Sequence, residues 1–211
     1  MKSKLLLIGG GGHCKTVVEA VLLSGEFNEV GIIDKPQKTG SSVLGVKIIG
    51  NDSDLPCLKE NGFEYAFISL GSIGDAGRRI ELYKILVELG FKVPSIVHPS
   101  ANISPHSEID EGVFIGKNVI VNGDTKILKN SILNTGCIIE HDCQIGSFVH
   151  IAPGVILSGN VIIGNNTHVG AGTVVRQDIS IGDNTVIGIG SVVTKEIGGN
   201  SLAYGNPCRI M

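Results

Sequence analysis

The residues best suited to chemistry are a histidine and the two carboxylates that flank it, Glu140, His141 and Asp142. A neutral imidazole accepts a proton near neutral pH, and an adjacent carboxylate raises its basicity and fixes its tautomer. Either acidic neighbour meets that requirement. The trio therefore predicts a general base, His141, that activates an amine or a hydroxyl for attack on an acyl group, with a backbone amide stabilising the oxyanion.

The element that must hold this histidine is a sequence repeat. An aliphatic residue recurs at every sixth position from 103 to 193, at sixteen consecutive positions without exception. Glycine, asparagine or aspartate supplies turn residues between these positions. The period predicts a left-handed parallel β-helix, in which three hexads form one triangular coil. Residues one coil apart then lie above one another, which stacks His150 on His168 and leaves His141 outside the buried register.

The first hundred residues alternate apolar strands with helical segments. Strands are predicted at 4–8, 30–33 and 65–70, and helices at about 13–23, 52–61 and 75–90. This order indicates a parallel sheet with right-handed crossovers, a small Rossmann-like α/β domain. Ligands bind beyond the carboxyl ends of such strands, at Gly9–His13, Asp34–Lys35 and Gly71–Ser72. The alternative is that the glycines only make a tight turn, and Lys15 at the third fingerprint position argues against a bound NAD.

Composition limits the possible partners. Charged residues make up 18% of the chain and the formal net charge is −3, which argues against a nucleic-acid partner. The apolar run at residues 5–8 is too short for a signal peptide, and no stretch approaches the length of a membrane span. Five cysteines without CxxC spacing suit reduced thiols in the cytoplasm, and Cys137 and Cys143 fall at inward, core positions of the repeat. We expect three segments, 1–95, 96–197 and a C-terminal cap at 198–211.

Three segments, GGGGHCK, NTGCIIEHDCQIGSFVHIAPG and YGNPCRI, together with Asp34 and the hexad array, resemble one family. This family is the sugar O-acyltransferases of the hexapeptide-repeat transferase superfamily. It includes sialic-acid O-acetyltransferases and the UDP-4-amino-sugar N-acetyltransferases of bacillosamine and perosamine type. The resemblance covers essentially the whole chain. It implies a homotrimer that transfers an acetyl group from acetyl-CoA, bound along the β-helix between subunits, to a sugar or nucleotide sugar.

The resemblance also implies roles for individual residues, without a metal ion. His141 corresponds to the proton acceptor, Asp142 to the group that raises its basicity, and Asn134 and Glu140 to its active-site neighbours. Acetyl-CoA would be contacted by His150 and by the backbones of Ala171 and Ile189. The nucleotide sugar would be bound by Gly11, Gly12, His13, Asp34, Lys35 and Gly71. Cys14 stands where the family usually has alanine, and NPCR replaces the common NPAK.

Several functions remain open at this point. N-acetylation of a nucleotide-linked amino sugar is favoured, because an amine deprotonates readily and the N-terminal domain suits a nucleotide; O-acetylation of sialic acid or another surface-glycan sugar is the alternative. A zinc enzyme of carbonic-anhydrase type would use His141, His150 and His168, but the tight ligand spacing of that family is missing. A non-catalytic sugar-nucleotide sensor on the same fold is the third class. His98 and His106 are expected to serve packing or a loop.

Overall fold

The computed structural model describes residues 3–211, which divide into two compact units. The first unit comprises the described residues up to 71 together with 77–99, and the second comprises 72–76 and 100–211. A short segment from the N-terminal half of the sequence thus belongs to the second unit. Within the described residues, no helix has both the length and the apolar character needed to cross a bilayer.

The first unit is a small sheet flanked by helices. Its strands are β1 (Lys4–Ile8), β2 (Glu29–Ile33), β3 (Ser42–Val43), β4 (Val46–Gly50), β5 (Tyr65–Ile68) and β6 (Ile96–Val97). Its helices are α1 (Gly12–Ser24), α2 (Leu55–Glu60) and α3 (Gly77–Glu88), with 3₁₀ turns at Pro36–Lys38 and Asp52–Asp54. The main sheet has the order β3-β4-β2-β1-β5. This arrangement confirms the predicted α/β unit with a parallel sheet.

The parallel strands end at a common edge. Ile8 pairs with Ile33 of β2 and with Ile68 of β5, so the loops that follow these three strands leave the sheet side by side. The interior of β1 is fully buried, as expected for a strand covered on both faces. Residues 9–13, 34–35 and 69–71 are therefore neighbours, which is the geometry that the strand pattern predicts.

One hairpin in this unit was not predicted. β3 and β4 pair in antiparallel fashion, with Val43 opposite Val46. The turn between them places Leu44 at φ 47° and Gly45 at φ 84°, the left-handed conformations of a tight hairpin turn. Leucine rarely adopts this conformation. Because Leu44-Gly45 stands where Asn-Gly or Asp-Gly would mark a hairpin turn, no sequence signal indicates this turn.

The second unit is a left-handed β-helix of two-residue strands on three faces. Face one contains β7 (Asn102–Ile103), β10 (Ile120–Val121), β13 (Ile138–Ile139), β16 (Ile156–Leu157), β19 (Val174–Val175) and β22 (Val192–Val193). Face two contains β8 (Glu108–Ile109), β11 (Lys126–Ile127), β14 (Gln144–Ile145), β17 (Ile162–Ile163) and β20 (Ser180–Ile181). Face three contains β9 (Phe114–Ile115), β12 (Ile132–Leu133), β15 (His150–Ile151), β18 (His168–Val169) and β21 (Val186–Ile187).

The second residue of every one of these strands is the predicted aliphatic position. From 115 onward all of these side chains are buried, whereas those at 103 and 109 in the first coil are half-buried. Strands that are one coil apart pair in parallel, as with His150 and His168. The inward cysteines, Cys137 and Cys143, are fully buried, which confirms that they are core residues.

The corners of the prism depend on residues that tolerate left-handed backbone. Every sixth residue from 112 to 190 has a positive φ, and all but one of these residues are glycine, asparagine or aspartate. The exception is Phe148, at φ 58°. Because Asp142 stands in this series at φ 62°, the turn alone already favours an aspartate or asparagine beside His141.

The C-terminal residues cover one end of the β-helix. Ile197 bridges to Ile181, and β23 (Leu202–Tyr204) pairs in parallel with β21. The chain then reverses, and β24 (Arg209–Ile210) pairs in antiparallel fashion with β23. The exposed backbone edge at the end of face three is thereby extended and closed by the chain itself.

Candidate active site

His141 lies at a corner between faces one and two with its ring directed into solvent. Its Nδ1 is 2.7 Å from Oδ2 of Asp142, and the side chains are 65% and 55% exposed. A carboxylate accepts, so Nδ1 donates the proton and Nε2 carries the lone pair. The predicted pairing of His141 with an acidic neighbour is thus present, and its partner is Asp142.

The charges around this ring favour its protonated form. The hydrogen bond to Asp142 is the main cause that raises the pKa of His141 above its ordinary value; partial desolvation opposes it, and the charges of Asp142 and Glu140 add to it. Glu140 itself binds a neighbouring coil, because its Oε2 accepts a hydrogen bond from Nδ2 of Asn122 at 2.9 Å. Glu140 therefore acts on His141 through its charge, while Asp142 acts through direct contact.

The next coil supplies a glycine against the face of the ring. Gly159 lies one coil beyond His141, and a Cβ added there would lie 2.6 Å from Cε1 and 2.7 Å from Nε2 of the histidine. The imidazole therefore occupies the space that any other side chain at 159 would fill. A cleft of about 490 Å³ continues along this corner, lined by Ser158, Arg176, Gln177 and Asp178.

A second polar group lies on face three. Nε2 of His150 is 3.3 Å from Nδ2 of Asn134, and its Nδ1 is 2.7 Å from the carbonyl oxygen of Ser72. The ring of His168 meets that of His150 edge to face, with centroids 5.0 Å apart. Within one chain, Asn134 therefore contacts His150, whereas the sequence-based expectation made it a neighbour of His141.

The other two residues expected to contact acetyl-CoA lie on the adjacent corner. Ala171 and Ile189 are one coil apart and stack in one column, joined through the hydrogen bond from the Gly190 amide to the Ala171 carbonyl at 2.8 Å. The side chain of Ile189 is 80% exposed. This column extends from Thr135, beside Asn134, over three coils or about 14 Å, which provides a long, straight edge for an extended ligand.

The first unit contains a separate cavity at the carboxyl ends of its strands, with an apolar wall and several polar side chains. The cavity measures about 340 Å³ and is lined by Ile8, Gly9, Ile33, Asp34, Lys35, Pro36, Asn51, Asp52, Leu70, Arg78 and Leu82. Asp34 lies within it, where Oδ2 accepts from the Gly10 amide at 2.9 Å and from Nζ of Lys38 at 2.7 Å, and Oδ1 accepts from the Lys35 amide at 2.7 Å. Since each oxygen accepts two hydrogen bonds, Oδ1 retains capacity for a ligand hydroxyl.

Hydrogen bonds stabilise the ionised form of Asp34. Its burial favours the neutral acid, but the hydrogen bonds from Lys38, Lys35 and Gly10 outweigh that effect, and the pKa of Asp34 lies below its ordinary value. The carboxylate is therefore ionised at neutral pH and serves as an acceptor.

The glycine loop that precedes α1 is open to ligands. A Cβ at Gly11 or Gly12 would meet no atom within 4 Å, and no side chain caps the amino end of α1. Free amides at a helix N-terminus bind anions such as phosphate. Gly71 lies against this loop, with its added Cβ 3.5 Å from Cβ of His13. The structure thus brings together the predicted glycines, His13 and Gly71.

Three polar residues of the cavity were not predicted. Asn51 and Asp52 follow β4, and Arg78 near the start of α3 pairs with Asp52 and, at 2.6 Å, with Glu81. No motif marks these residues, and β4 itself was not predicted, so no strand end indicated a site there. Gly159 was also not assigned, although the one-coil spacing from His141 would have identified it. Ser72 was expected, with Gly71, at a strand end of the first unit, but it belongs to the second unit, where its carbonyl contacts His150.

The side chains that could bind zinc are not grouped together in the described residues. Within residues 3–211, histidine, cysteine, aspartate and glutamate side chains form no cluster of three or more suited to hold a metal ion. In one chain His150 is adjacent to His168, whereas His141 pairs with Asp142.

Known protein families match both units. The PglD N-terminal domain matches residues 4–86, and the bacterial transferase hexapeptide (six repeats) matches residues 142–177 and 160–195. A similar solved structure is PerB from Caulobacter crescentus in complex with CoA and GDP-perosamine, with 35% identity, a TM-score of 0.92, and 99% of this chain and 97% of that one covered. Variants of perosamine N-acetyltransferase from the same organism, with one histidine replaced by asparagine or alanine, were also solved with these ligands, each at 34% identity.

Two further structures extend the likeness. The acetyltransferase domain of PglB from Neisseria gonorrhoeae in complex with acetyl coenzyme A is 32% identical, with a TM-score of 0.92 and full coverage of both chains. WeeI from Acinetobacter baumannii shares the fold at 23% identity, with a TM-score of 0.88. The chain therefore belongs to the bacterial hexapeptide-repeat transferases that carry a PglD-type N-terminal domain, and it is an acetyltransferase.

Proposed function

We propose that the protein transfers the acetyl group of acetyl-CoA to the amino group of a nucleotide-linked amino sugar, with His141 as general base. The observation that carries this proposal is the 2.7 Å contact between Nδ1 of His141 and Asp142, which leaves the lone pair on Nε2 of a ring that is 65% exposed. A base in that state accepts a proton from an attacking nitrogen. The ligands of PerB and of the PglB domain support the same pair of substrates.

The reaction is a direct acyl transfer. The neutral amine attacks the thioester carbonyl, the C–N bond forms, and Nε2 of His141 removes a proton from the nitrogen. The tetrahedral intermediate then collapses, the C–S bond breaks, and the CoA thiolate takes up the proton that His141 carries. Asp142 stabilises the imidazolium in the interval, and a backbone amide is proposed as the oxyanion donor.

The two units supply complementary binding surfaces in this proposal. The glycine loop, His13 and Gly71 would hold the phosphates and sugar, and Asp34 and Lys35 the hydroxyls and charge of the nucleotide. On the β-helix, His150, Ala171 and Ile189 would contact acetyl-CoA, while Asn134, Glu140 and Asp142 support the histidines. The extended column from Thr135 to Ile189 suits the pantetheine arm.

A homotrimer completes the proposal. The outward side chains of face one form an aliphatic ladder, with Ile156 and Val174 37% and 38% exposed. An apolar, flat sheet face of this kind favours burial against a second copy of the chain. Light scattering should give three times the chain mass, and replacing Ile156 with lysine should reduce that mass. An unchanged mass in the variant would show that face one is not the interface.

The chemistry is tested with a panel of acceptors. UDP-, GDP- and dTDP-linked amino sugars and free sialic acid are incubated with acetyl-CoA, and the products are examined by mass spectrometry before and after mild alkali. An alkali-stable acetyl group on a nucleotide amino sugar supports the proposal, because amides survive and esters hydrolyse. Acetylation of sialic acid alone would instead establish the O-acetyltransferase function.

A further inference from the structure

The segment Ser72–Ala76 lies along face three of the β-helix. Its first residue contacts His150 through the 2.7 Å bond from Nδ1 to the Ser72 carbonyl, and its last donates from the Ala76 amide to Oδ1 of Asn166 at 3.1 Å. Between them, a Cβ on Gly74, whose φ is 76°, would lie 3.2 Å from Cγ2 of Val186. The segment is therefore attached at both ends and closely packed in the middle.

These contacts decide which nitrogen of His150 carries the proton. The Ser72 carbonyl only accepts, so Nδ1 of His150 donates. On the other side, Oδ1 of Asn134 accepts from the Thr135 amide at 2.8 Å, which turns the Asn134 amino group toward Nε2 of His150. An amide nitrogen only donates, so Nε2 holds the lone pair and the ring is uncharged.

The ring of His168 fixes the plane of His150. Both rings are buried, and they meet at 69° with their centroids 5.0 Å apart. Burial lowers the pKa of His168 below its ordinary value, so this ring is uncharged at neutral pH. His168 therefore adds no charge that would attract or repel a ligand beside His150. The orientation and the tautomer of His150 are thus set by groups that surround it on three sides.

We propose that the segment Ser72–Ala76 is a positioning element that holds His150 in the Nδ1–H tautomer and thereby presents Nε2 as a hydrogen-bond acceptor. Nε2 has one lone pair, so a ligand N–H that reaches it takes the place of the 3.3 Å contact from Asn134. A ligand group that meets this nitrogen must donate, which selects an amide N–H of the pantetheine arm over its carbonyls and over the CoA phosphates. The inference rests on the proposed function for the identity of the acyl donor. The tautomer assignment itself rests only on the contacts of this chain.

The tautomer is measured directly by ¹⁵N NMR of the imidazole nitrogens in the full-length protein without ligands. The His150→Gln variant identifies the signals of this ring by their loss. We expect Nδ1 to show a directly bonded proton at neutral pH and Nε2 to resonate as an unprotonated nitrogen. A proton on Nε2, or on both nitrogens, would overturn the inference.

A matched pair of variants tests the segment. Gly74→Ala strains the backbone at φ 76° and crowds Val186, whereas Gly90→Ala imposes the same backbone strain at φ 74° in the turn after α3, where its Cβ meets no atom within 4 Å. We expect Gly74→Ala to mix the two tautomers of His150 and to weaken acetyl-CoA binding about tenfold, the cost of one lost hydrogen bond. The KM for acetyl-CoA should rise while kcat is retained. Gly90→Ala should match wild type in the His150 tautomer, in acetyl-CoA affinity and in the kinetic constants.

The outcomes separate this inference from the proposed function. Wild-type tautomer and wild-type acetyl-CoA affinity in Gly74→Ala would overturn the role of the segment. Failure of the wild-type protein to bind acetyl-CoA would overturn the proposed function, because the NMR result does not depend on that ligand. If Gly74→Ala does not fold, the ¹⁵N measurement on the wild-type protein still decides the tautomer.

Discussion

Replacing Gly159 with alanine should inactivate the enzyme without unfolding it. The added Cβ would lie 2.6 Å from Cε1, 2.7 Å from Nε2 and 3.2 Å from Nδ1 of His141. Non-bonded carbon atoms pack at about 3.5–4.0 Å, so the ring must retreat by about 1 Å. A displacement of that size at a reacting group costs about 10²-fold in rate, and we expect kcat/KM to fall about a hundredfold.

The stability of the variant should be close to that of wild type. The side chain of His141 is 65% exposed, so the ring can swing into solvent without disturbing the core. The backbone at Gly159 does not have the positive φ that alanine would strain. A change of less than about 0.5 kcal/mol in the free energy of unfolding is expected, measured by urea denaturation.

Gly123 provides the matched control. It lies at the same corner, one coil before His141, and its added Cβ would make ordinary contacts of 3.6 Å to Oγ of Ser104 and 3.9 Å to Cβ of His106. Gly123→Ala should keep wild-type kcat/KM, measured as thiol release from acetyl-CoA with a nucleotide amino sugar. Full activity in Gly159→Ala would show that the active position of the His141 ring is not the one against Gly159.

Three other predictions concern charge, strain and thiol reactivity. Asp142→Asn keeps a residue that tolerates the left-handed turn but removes the carboxylate that raises the pKa of His141. The acid limb of the pH–kcat/KM profile should therefore move to lower pH, and the plateau of kcat/KM should fall. An unmoved acid limb would exclude Asp142 as the group that raises the pKa of His141. Phe148→Asn should raise the free energy of unfolding by about 1 kcal/mol in urea titrations by relieving the left-handed strain at φ 58°, and a loss of stability would show that contacts of the ring outweigh this strain. Ellman's reagent should react with exposed Cys57 in the native protein but not with Cys137, whose pKa burial raises to about 12; rapid labelling of Cys137, located by peptide mapping, would contradict the buried assignment.

The sequence predicts the β-helix more completely than any other part of the molecule. The six-residue period fixes which side chain of each strand points inward, and a one-residue shift would expose the whole aliphatic set. By contrast, the β3–β4 hairpin depends on a turn with Leu44 in a left-handed conformation, which no turn motif indicates. The cavity residues Asn51 and Asp52 follow this hairpin, so they were not predicted either.

The contacts of the site that follow from the spacing of residues in the repeat could be predicted from the sequence. The contacts that depend on the path of a loop could not. His141 and Asp142 are adjacent in sequence, and the one-coil spacing relates His150 to His168 and His141 to Gly159. The contact from Ser72 to His150 joins residues 78 positions apart through a segment without periodicity. The sequence also did not determine which histidine Asn134 contacts. Asn134 is closer in sequence to His141, but in the structure its side chain contacts His150.

The role of His141 as the general base is tested most directly by the rate of thiol release from acetyl-CoA in His141→Ala, with the acceptor found in the panel of nucleotide amino sugars. His106→Ala is the control, because His106 is an exposed histidine at the same corner, two coils before His141. We expect His141→Ala to lose at least about 10²-fold in kcat/KM and to keep its affinity for acetyl-CoA, and His106→Ala to retain full activity. Equal turnover in His141→Ala and wild type would contradict the assignment of His141 as the base.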